Sequence, residues 1–183
     1  MRDAKSEILK FWFEEIKPVQ WFQKNQDFDN EIIARFEGDY NLAILDIYDG
    51  WVDTDKGCLA LIILLDQFPR NMFRGTAQMF ATDHKALSVA QHAIDKKFDT
   101  MMTLHEKVFC YLPFEHSEDI KDQKTSMALF DPTKTEDPTF HNYAVRHYDV
   151  IKKYGRFPHR NELLGRQNTK LEEEYLSQPD SGF

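Results

Sequence analysis

Apolar residues recur every three or four positions along nearly the whole chain, the spacing of one face of an α-helix. The longest such series is Phe28, Ile32, Phe36, Tyr40, Ile44 and Ile47. It predicts an amphipathic helix whose apolar stripe faces the core and which ends at Gly50. No stretch shows the alternation typical of a strand. The pattern therefore predicts an all-α fold, an array of antiparallel helical hairpins forming a single domain over residues 1–183.

Capping residues and helix breakers divide this pattern into further helices. The expected starts are at Asp3, at Thr54 or Asp55, at Ser117, and at a capping box formed by Thr169 and Glu172. The expected ends, apart from Gly50, are at Pro18, Pro113 and Gly155. Ala86, Ala90 and Ala93 give another helix a flat side that a neighbour can approach closely. The loops between these helices are short, so no domain boundary is predicted.

One apolar helix ends abruptly in polar residues, within "LIILLDQFPRNMF" at positions 61–73. Phe68 precedes Pro69, which disfavours helical geometry at Phe68 and predicts that the helix stops there. Asp66 then lies in the last helical turn, where its negative charge opposes the helix dipole. We therefore expect a cationic partner for Asp66, with Arg70 and Arg74 as the nearest candidates.

A similar motif occurs again near the C-terminus. "FPRN" at Phe68–Asn71 is echoed by "FPHRN" at Phe157–Asn161, and five of the eight arginines lie in or beside these two segments. Arginine presents a rigid fork that binds a carboxylate or phosphate through two hydrogen bonds. The clustering predicts paired charges, a bound anion, or both.

A third polar segment, "PFEHSED" at positions 113–119, follows another apolar helix. Its Glu115 and Glu118 are suitable partners for arginines. We predict that the three segments converge, with Arg70 or Arg74 and Arg156 or Arg160 within reach of these carboxylates.

Charge and composition narrow the classes of partner. The net charge is −8 and the pI about 5.3, so the overall field repels nucleic acid and anionic membrane surfaces. The longest apolar run, Cys58–Leu65, is far shorter than the roughly 20 residues of a membrane span. Cys58 and Cys110 lie in apolar runs and are expected to be buried free thiols, which indicates a cytoplasmic protein.

Several motifs together resemble a family of bacterial proteins, the domain of unknown function family number 924. They are "LLDQFPRNMFRGT", "FATD", "YLPFEHSED" and "GRFPHRN", and the resemblance runs from "ILKFWFEE" almost to the C-terminus. The resemblance implies an all-helical, tetratricopeptide-like fold and implies no activity. One departure is Lys97, where the family pattern usually has a glycine at a helix end.

These motifs define a candidate polar cluster for binding. It comprises Asp66, Arg70, Asn71, Arg74, Glu115, His116, Glu118, Arg156, His159, Arg160 and Asn161. Catalytic residues are not assigned, and no cofactor is expected. No metal is expected either, since neither an HExxH nor a paired-cysteine pattern occurs. His147 lies on the apolar stripe of its helix and is interpreted as a hydrogen-bonded core histidine.

Three classes of function fit these patterns. We interpret the protein as a binding module for a peptide or protein. The alternatives are an enzyme with hydrolase-like acid–base chemistry on a small anion in the polar cluster, and a protein whose polar cluster is purely architectural. An exposed apolar groove would favour the first. Surplus positive charge in a cleft would favour the second, and arginines fully met by carboxylates would favour the third.

Overall fold

Capping side chains set where the helices begin in the computed structural model, which describes residues 2–179 and 181–182. Asp3 accepts from the backbone N–H of Ser6, and Thr54 accepts from that of Gly57. Thr169 and Glu172 form the predicted capping box. The α-helices of the described residues are α1 (Ala4–Lys10), α2 (Gln26–Ile44), α3 (Asp55–Ile62), α4 (Phe68–Met72), α5 (Asp83–Asp95), α6 (Leu104–His116), α7 (Ile120–Phe130), α8 (Pro138–Tyr154) and α9 (Lys170–Leu176).

Short tight and wide turns fill most of the chain between these helices. Wide π turns extend α1 over Phe11–Glu15 and α3 over Ile63–Gln67. Turns of 3₁₀ helix cover Pro18–Gln20, Asp49–Asp53, Ala77–Phe80, Phe98–Met101, Asp131–Thr135 and Pro158–Arg160. The described residues contain no strand, so the all-α prediction is confirmed. Within them, no helix combines the length and apolarity needed to cross a bilayer.

The described residues form two compact units. Unit 1 holds the residues up to Arg74 together with Gln78–Pro113, and unit 2 holds Gly75–Ala77 together with the residues from Phe114 onward. The single-domain prediction stays a prediction.

Unit 1 is built around aromatic side chains. Phe11 and Trp12 are fully buried and contact the ring of Phe68, with centroid distances of 6.1 and 5.6 Å. Phe36 of α2 stacks on Phe68 at 4.8 Å. Helix α3 packs against α1 and α5, and the predicted small side of α5 is fully buried. The apolar residues of the first helices thus form the core that the periodicity predicted.

Unit 2 has a smaller core. Helices α7 and α8 pack side by side. Val150 and Ile151 of α8 cluster with Phe157, and Tyr154 and Tyr175 cover this cluster at its edge. Gly155 ends α8 in the left-handed conformation, with φ at 71°, as predicted.

Two predictions about proline were wrong. Phe68 is helical, with φ −59° and ψ −38°, because the π turn before it lets the chain pass into α4 without a stop. The hydroxyl of Thr82 donates to the carbonyl of Leu65, which Pro69 cannot reach for lack of an N–H. Helix α6 likewise runs through Pro113 to His116.

Two predicted helix boundaries were also wrong. Ser117 does not cap α7; Asp119 does, accepting from the backbone N–H of Lys121. Helix α2 ends at Ile44 rather than at Gly50, because Asp46 adopts the left-handed conformation with φ at 64°. The consequences of this early end are described below.

Candidate functional site

The first arginine motif surrounds fully buried Asp66 on the π turn between α3 and α4. Nη1 of Arg70, one helical turn further on, lies 3.1 Å from Oδ1 of Asp66. Nη1 and Nη2 of Arg70 also donate to the two carboxylate oxygens of Asp83, at 3.0 and 3.1 Å. Burial disfavours the charged form of the guanidinium and so lowers its pKa. The two carboxylates outweigh this effect and raise the pKa of Arg70 above its ordinary value. The expected cation beside Asp66 is therefore Arg70, and a second carboxylate also meets it.

Arg74 and Asn71 point to a different carboxylate. Nε and Nη2 of Arg74 donate to Asp29 of α2 at 2.7 and 2.8 Å. Nδ2 of Asn71 donates to the same carboxylate at 2.7 Å. Burial alone would raise the pKa of Asp29, but these bonds hold it below its ordinary value. This group fastens α4 to α2.

The second motif and the third segment meet in unit 2. Nη1 and Nη2 of Arg166 donate to the two oxygens of Glu118 at 2.7 and 3.0 Å. The backbone N–H of Phe157 also donates to Glu118, at 2.8 Å. Burial would raise the pKa of Glu118, but Arg166 and this N–H lower it. Glu118 thus binds the first residue of the "FPHRN" motif, whereas its expected position was the first turn of α7.

Arg156 and Asn161 of the second motif are also bonded within unit 2. Nε and Nη2 of Arg156 donate to Glu172 at 2.6 and 2.8 Å. This pairing, with the bonds from Thr169, lowers the pKa of Glu172 to about 2. Asn161 accepts from Nε of Arg166 at 2.8 Å. Each of these polar groups is fixed by neighbours from its own unit.

A group of histidines lies close to Glu115 in unit 2. Nδ1 of buried His147 donates to the carbonyl of Tyr143 at 2.9 Å, and Oε1 of Glu115 lies 3.1 Å from the same nitrogen. The ring of His116 is 6.4 Å from that of His147, between centroids. Burial lowers the pKa of His147 well below its ordinary value. His147 is therefore the hydrogen-bonded core histidine that its position on α8 predicted.

His159 and Arg160 both contact Phe157. The guanidinium carbon of Arg160 lies 4.4 Å from the centre of the Phe157 ring, and Arg160 is buried. The ring of His159 is 5.6 Å from that of Phe157. Burial, helped by the charge of Arg160, lowers the pKa of His159 to about 4. Apolar and cationic surroundings keep this imidazole neutral at pH 7.

The structure thus divides the predicted polar cluster into groups within each unit. Those in unit 1 are Asp66, Arg70, Asn71 and Arg74, and those in unit 2 are Glu115, His116, Glu118, Arg156, His159, Arg160 and Asn161. Convergence of the first group with the others stays a prediction. The partners that sequence reasoning missed are Asp29, Asp83, Arg166 and Glu172. Asp83 and Arg166 carried a usable signal, since Asp83 ends the motif "FATD" and Arg166 lies beside "FPHRN".

Unit 2 has an open depression of about 450 Å³ lined by Lys153, Tyr154, Arg156, Thr169, Leu171 and Glu172. Its arginine is the one already bonded to Glu172. No group of three or more His, Cys, Asp or Glu side chains among the described residues is arranged to hold a metal ion.

Exposed apolar residues lie elsewhere, at the end of α2. We define the α2-end surface as Leu42, Ile44, Leu45 and Ile47, whose exposed fractions are 40, 43, 68 and 64%. Ala43 is fully buried in the same stretch. At 100° per residue, Leu45 points almost directly away from Ala43, with Leu42 and Ile44 on its two flanks. Ile44 and Ile47 were predicted to face the core, and this prediction was wrong: Ile44 is the last residue of α2, and Ile47 lies beyond the left-handed turn at Asp46.

Comparison with known proteins agrees with the resemblance seen in the motifs. Residues 8–180 match the family described as "Bacterial protein of unknown function (DUF924)". The solved structure of a protein of unknown function from Agrobacterium tumefaciens, ATU0120, is 40% identical with a TM-score of 0.90, over 94% of this chain and 96% of that one. No curated protein matches the chain. The chain therefore belongs to the DUF924 family of bacterial proteins.

Proposed function

We propose that this protein is a binding module that holds a peptide or protein partner on the α2-end surface. The observation that carries the proposal is the exposure of Leu45 and Ile47, each more than three-fifths accessible, beside two further exposed apolar side chains. Adjacent exposed apolar residues add little to the stability of the free protein and are typical of interaction sites. We further propose a tetratricopeptide-like arrangement of the helices and a cytoplasmic location.

The polar groups support this choice over an anion-binding site. Arg70, Arg74, Arg156 and Arg166 each donate to a carboxylate of their own unit. A ligand anion would have to displace a charge-assisted bond that already uses the guanidinium fork. We therefore interpret these arginines as architectural.

Selection of peptides tests the proposed surface directly. A phage-displayed random peptide library is panned in parallel on the wild-type protein and on the Leu45→Ser/Ile47→Ser variant. Both positions are exposed, so the variant should fold like the wild type. We expect peptides that are enriched on the wild type and lost on the variant.

The matched control is Leu171→Ser, which changes an apolar side chain of similar exposure, 61%, in unit 2. It should retain the peptides selected on the wild type. Identical enrichment on the wild type and the double variant would contradict the proposal, because the peptides would then bind elsewhere.

A second candidate function is acid–base chemistry in unit 2. The observation that favours it is the position of Oε1 of Glu115, 3.1 Å from Nδ1 of a neutral, buried His147. A carboxylate in that position can orient an imidazole that moves a proton. Calorimetric titration with small phosphorylated and carboxylated metabolites tests it. A saturable heat that disappears in the Glu115→Gln variant and persists in Leu45→Ser/Ile47→Ser would favour the enzyme over the binding module.

A further inference from the structure

We propose that the partner of the α2-end surface is a basic amphipathic segment, with apolar residues on one face and Lys or Arg on the other. The inference rests on the proposed function, because it names the chemistry of the ligand for the same surface. Its evidence is the charge around the surface and the backbone geometry that holds the apolar residues in place.

The chain segment that contains the α2-end surface carries acidic residues and no basic ones. From position 36 to position 55 it contains six acidic residues and no Lys, Arg or His; the acidic residues are Glu37, Asp39, Asp46, Asp49, Asp53 and Asp55. Two cations from other segments meet part of this charge. Arg2 bonds Asp39 at 2.9 Å, and Lys85 contacts both Asp46 and Asp49. Within the described residues, exposed Glu37 and Asp53 have no ion-pair partner.

Backbone hydrogen bonds fix the apolar side chains at the helix end. The N–H of Ile47 donates to the carbonyl of Leu42 at 3.1 Å, and the N–H of Asp46 donates to that of Ala43 at 3.2 Å. These two bonds, with Asp46 in the left-handed conformation, make a Schellman motif, which brings the residues at its two ends together. The backbone at Leu42 is therefore held close to that at Ile47 before any partner arrives, so little backbone ordering is needed on binding.

Complementary charge selects among the possible occupants of this surface. A second copy of the chain would bring an identical acidic segment against the first, and the net charge of −8 adds to that repulsion. A nucleic acid or an anionic membrane is disfavoured for the same reason. A basic amphipathic helix offers apolar side chains for Leu45 and Ile47 and cations for the surrounding carboxylates.

The test uses a synthetic amphipathic helix with leucine on one face and lysine on the other, titrated into the full chain and followed by fluorescence anisotropy. A helix with glutamate in place of every lysine is the matched control peptide. We expect the lysine helix to bind and the glutamate helix to bind at least about tenfold more weakly. Leu45→Ser/Ile47→Ser should lower the affinity for the lysine helix by at least about tenfold, and Leu171→Ser should leave this affinity unchanged.

The charge contribution is measured separately. Glu37→Gln/Asp53→Asn should lower the affinity for the lysine helix about threefold. The affinity of the wild type should also fall as ionic strength rises above about 0.1 M, where the Debye length is about 10 Å, because salt screens the carboxylates. Equal binding of the two helices, with both lost in Leu45→Ser/Ile47→Ser, would overturn the basic partner and leave the proposed binding surface standing. Dimers that sediment in the wild type and not in that variant would show a second copy as the occupant and would also overturn the inference. Binding of the lysine helix unaffected by Leu45→Ser/Ile47→Ser would overturn both proposals.

Discussion

At the scale of single residues, two buried aspartates of unit 1 are each paired with an arginine. Asp66 is fully buried and meets Arg70, and Asp29 is almost fully buried and meets Arg74. Sequence reasoning found the cation for Asp66, because the two lie one helical turn apart. It could not find Asp29, which is more than forty positions from Arg74 and reaches it only through the packing of α2 on α4.

Replacement of Asp66 measures what this burial contributes. We expect Asp66→Ala to lower the free energy of unfolding by about 3 kcal/mol, because a partly buried cation loses one of its two carboxylates. This loss is at the lower end of the range for removing one partner of a buried ion pair, because Asp83 still pairs with Arg70. Urea denaturation provides the measurement. The control Asp53→Ala removes an exposed carboxylate and should change the value by less than about 0.5 kcal/mol; similar small changes in both variants would show that Asp66 is solvated.

The buried imidazoles give the stability of the protein a defined pH dependence. His159 has a folded-state pKa of about 4, and burial lowers the pKa of His147 as well. In the unfolded chain both titrate near 6.5. As the pH falls from about 6.5 toward 4, the unfolded chain binds protons that the folded protein does not, so the free energy of unfolding must fall.

The histidine effect is separable from that of the carboxylates, which titrate at lower pH. We expect the urea midpoint to decrease between about pH 6.5 and 4.5, with a slope of at most about 1.4 kcal/mol per pH unit for each histidine. His159→Gln should flatten this slope, whereas His84→Gln, at an exposed position, should not. An unchanged slope in His159→Gln would mean that this imidazole already binds its proton in the folded state.

At the scale of elements, local signals predicted most helix starts and failed where tertiary contacts replaced a missing bond. Asp3, Thr54 and Thr169 cap the helices that they were expected to cap. The predicted helix stops at the two prolines were wrong, because other contacts can compensate for the hydrogen bond that a proline removes from a helix. At Pro69 the hydroxyl of Thr82, a residue distant in sequence, provides that compensation.

The end of α5 shows what a single unfavourable residue contributes to an element. Lys97 follows this helix in the left-handed conformation, with φ at 59°, at the position where the family pattern usually has glycine. A side chain there costs roughly 1 kcal/mol through the clash of Cβ with the backbone. We expect Lys97→Gly to raise the free energy of unfolding by about this amount in urea denaturation.

The neighbouring residue provides the control for this effect. Lys96 has φ at −81°, an ordinary helical value. Lys96→Gly should therefore lower the stability by roughly 0.5–1 kcal/mol, since glycine only adds freedom to the unfolded chain there. A loss of stability in both variants would show that the left-handed conformation of Lys97 carries no strain.

At the scale of the whole molecule, the fold class followed from periodicity and the proposed binding surface did not. The stripe from Phe28 to Ile47 indicated one continuous buried face. The left-handed turn at Asp46 ends the helix early and leaves Ile47 exposed. Aspartate is one of the few residues besides glycine that tolerate this conformation, so a turn at Asp46 was possible from sequence but not required. This surface could not be identified from the sequence, because Ile44 and Ile47 fit the apolar periodicity that predicted α2 and were therefore predicted to be buried.

Hydrogen exchange of backbone amides is the sharpest test of the proposed α2-end surface, since it reports where a partner binds without any substitution. The full chain is compared alone and saturated with the leucine–lysine helix. We predict slower exchange in the segment that contains Leu42, Leu45 and Ile47, with no change in the segment around Leu171. Protection confined to unit 2, with exchange unchanged at the end of α2, would show that the helix binds elsewhere and would rule out the α2-end surface.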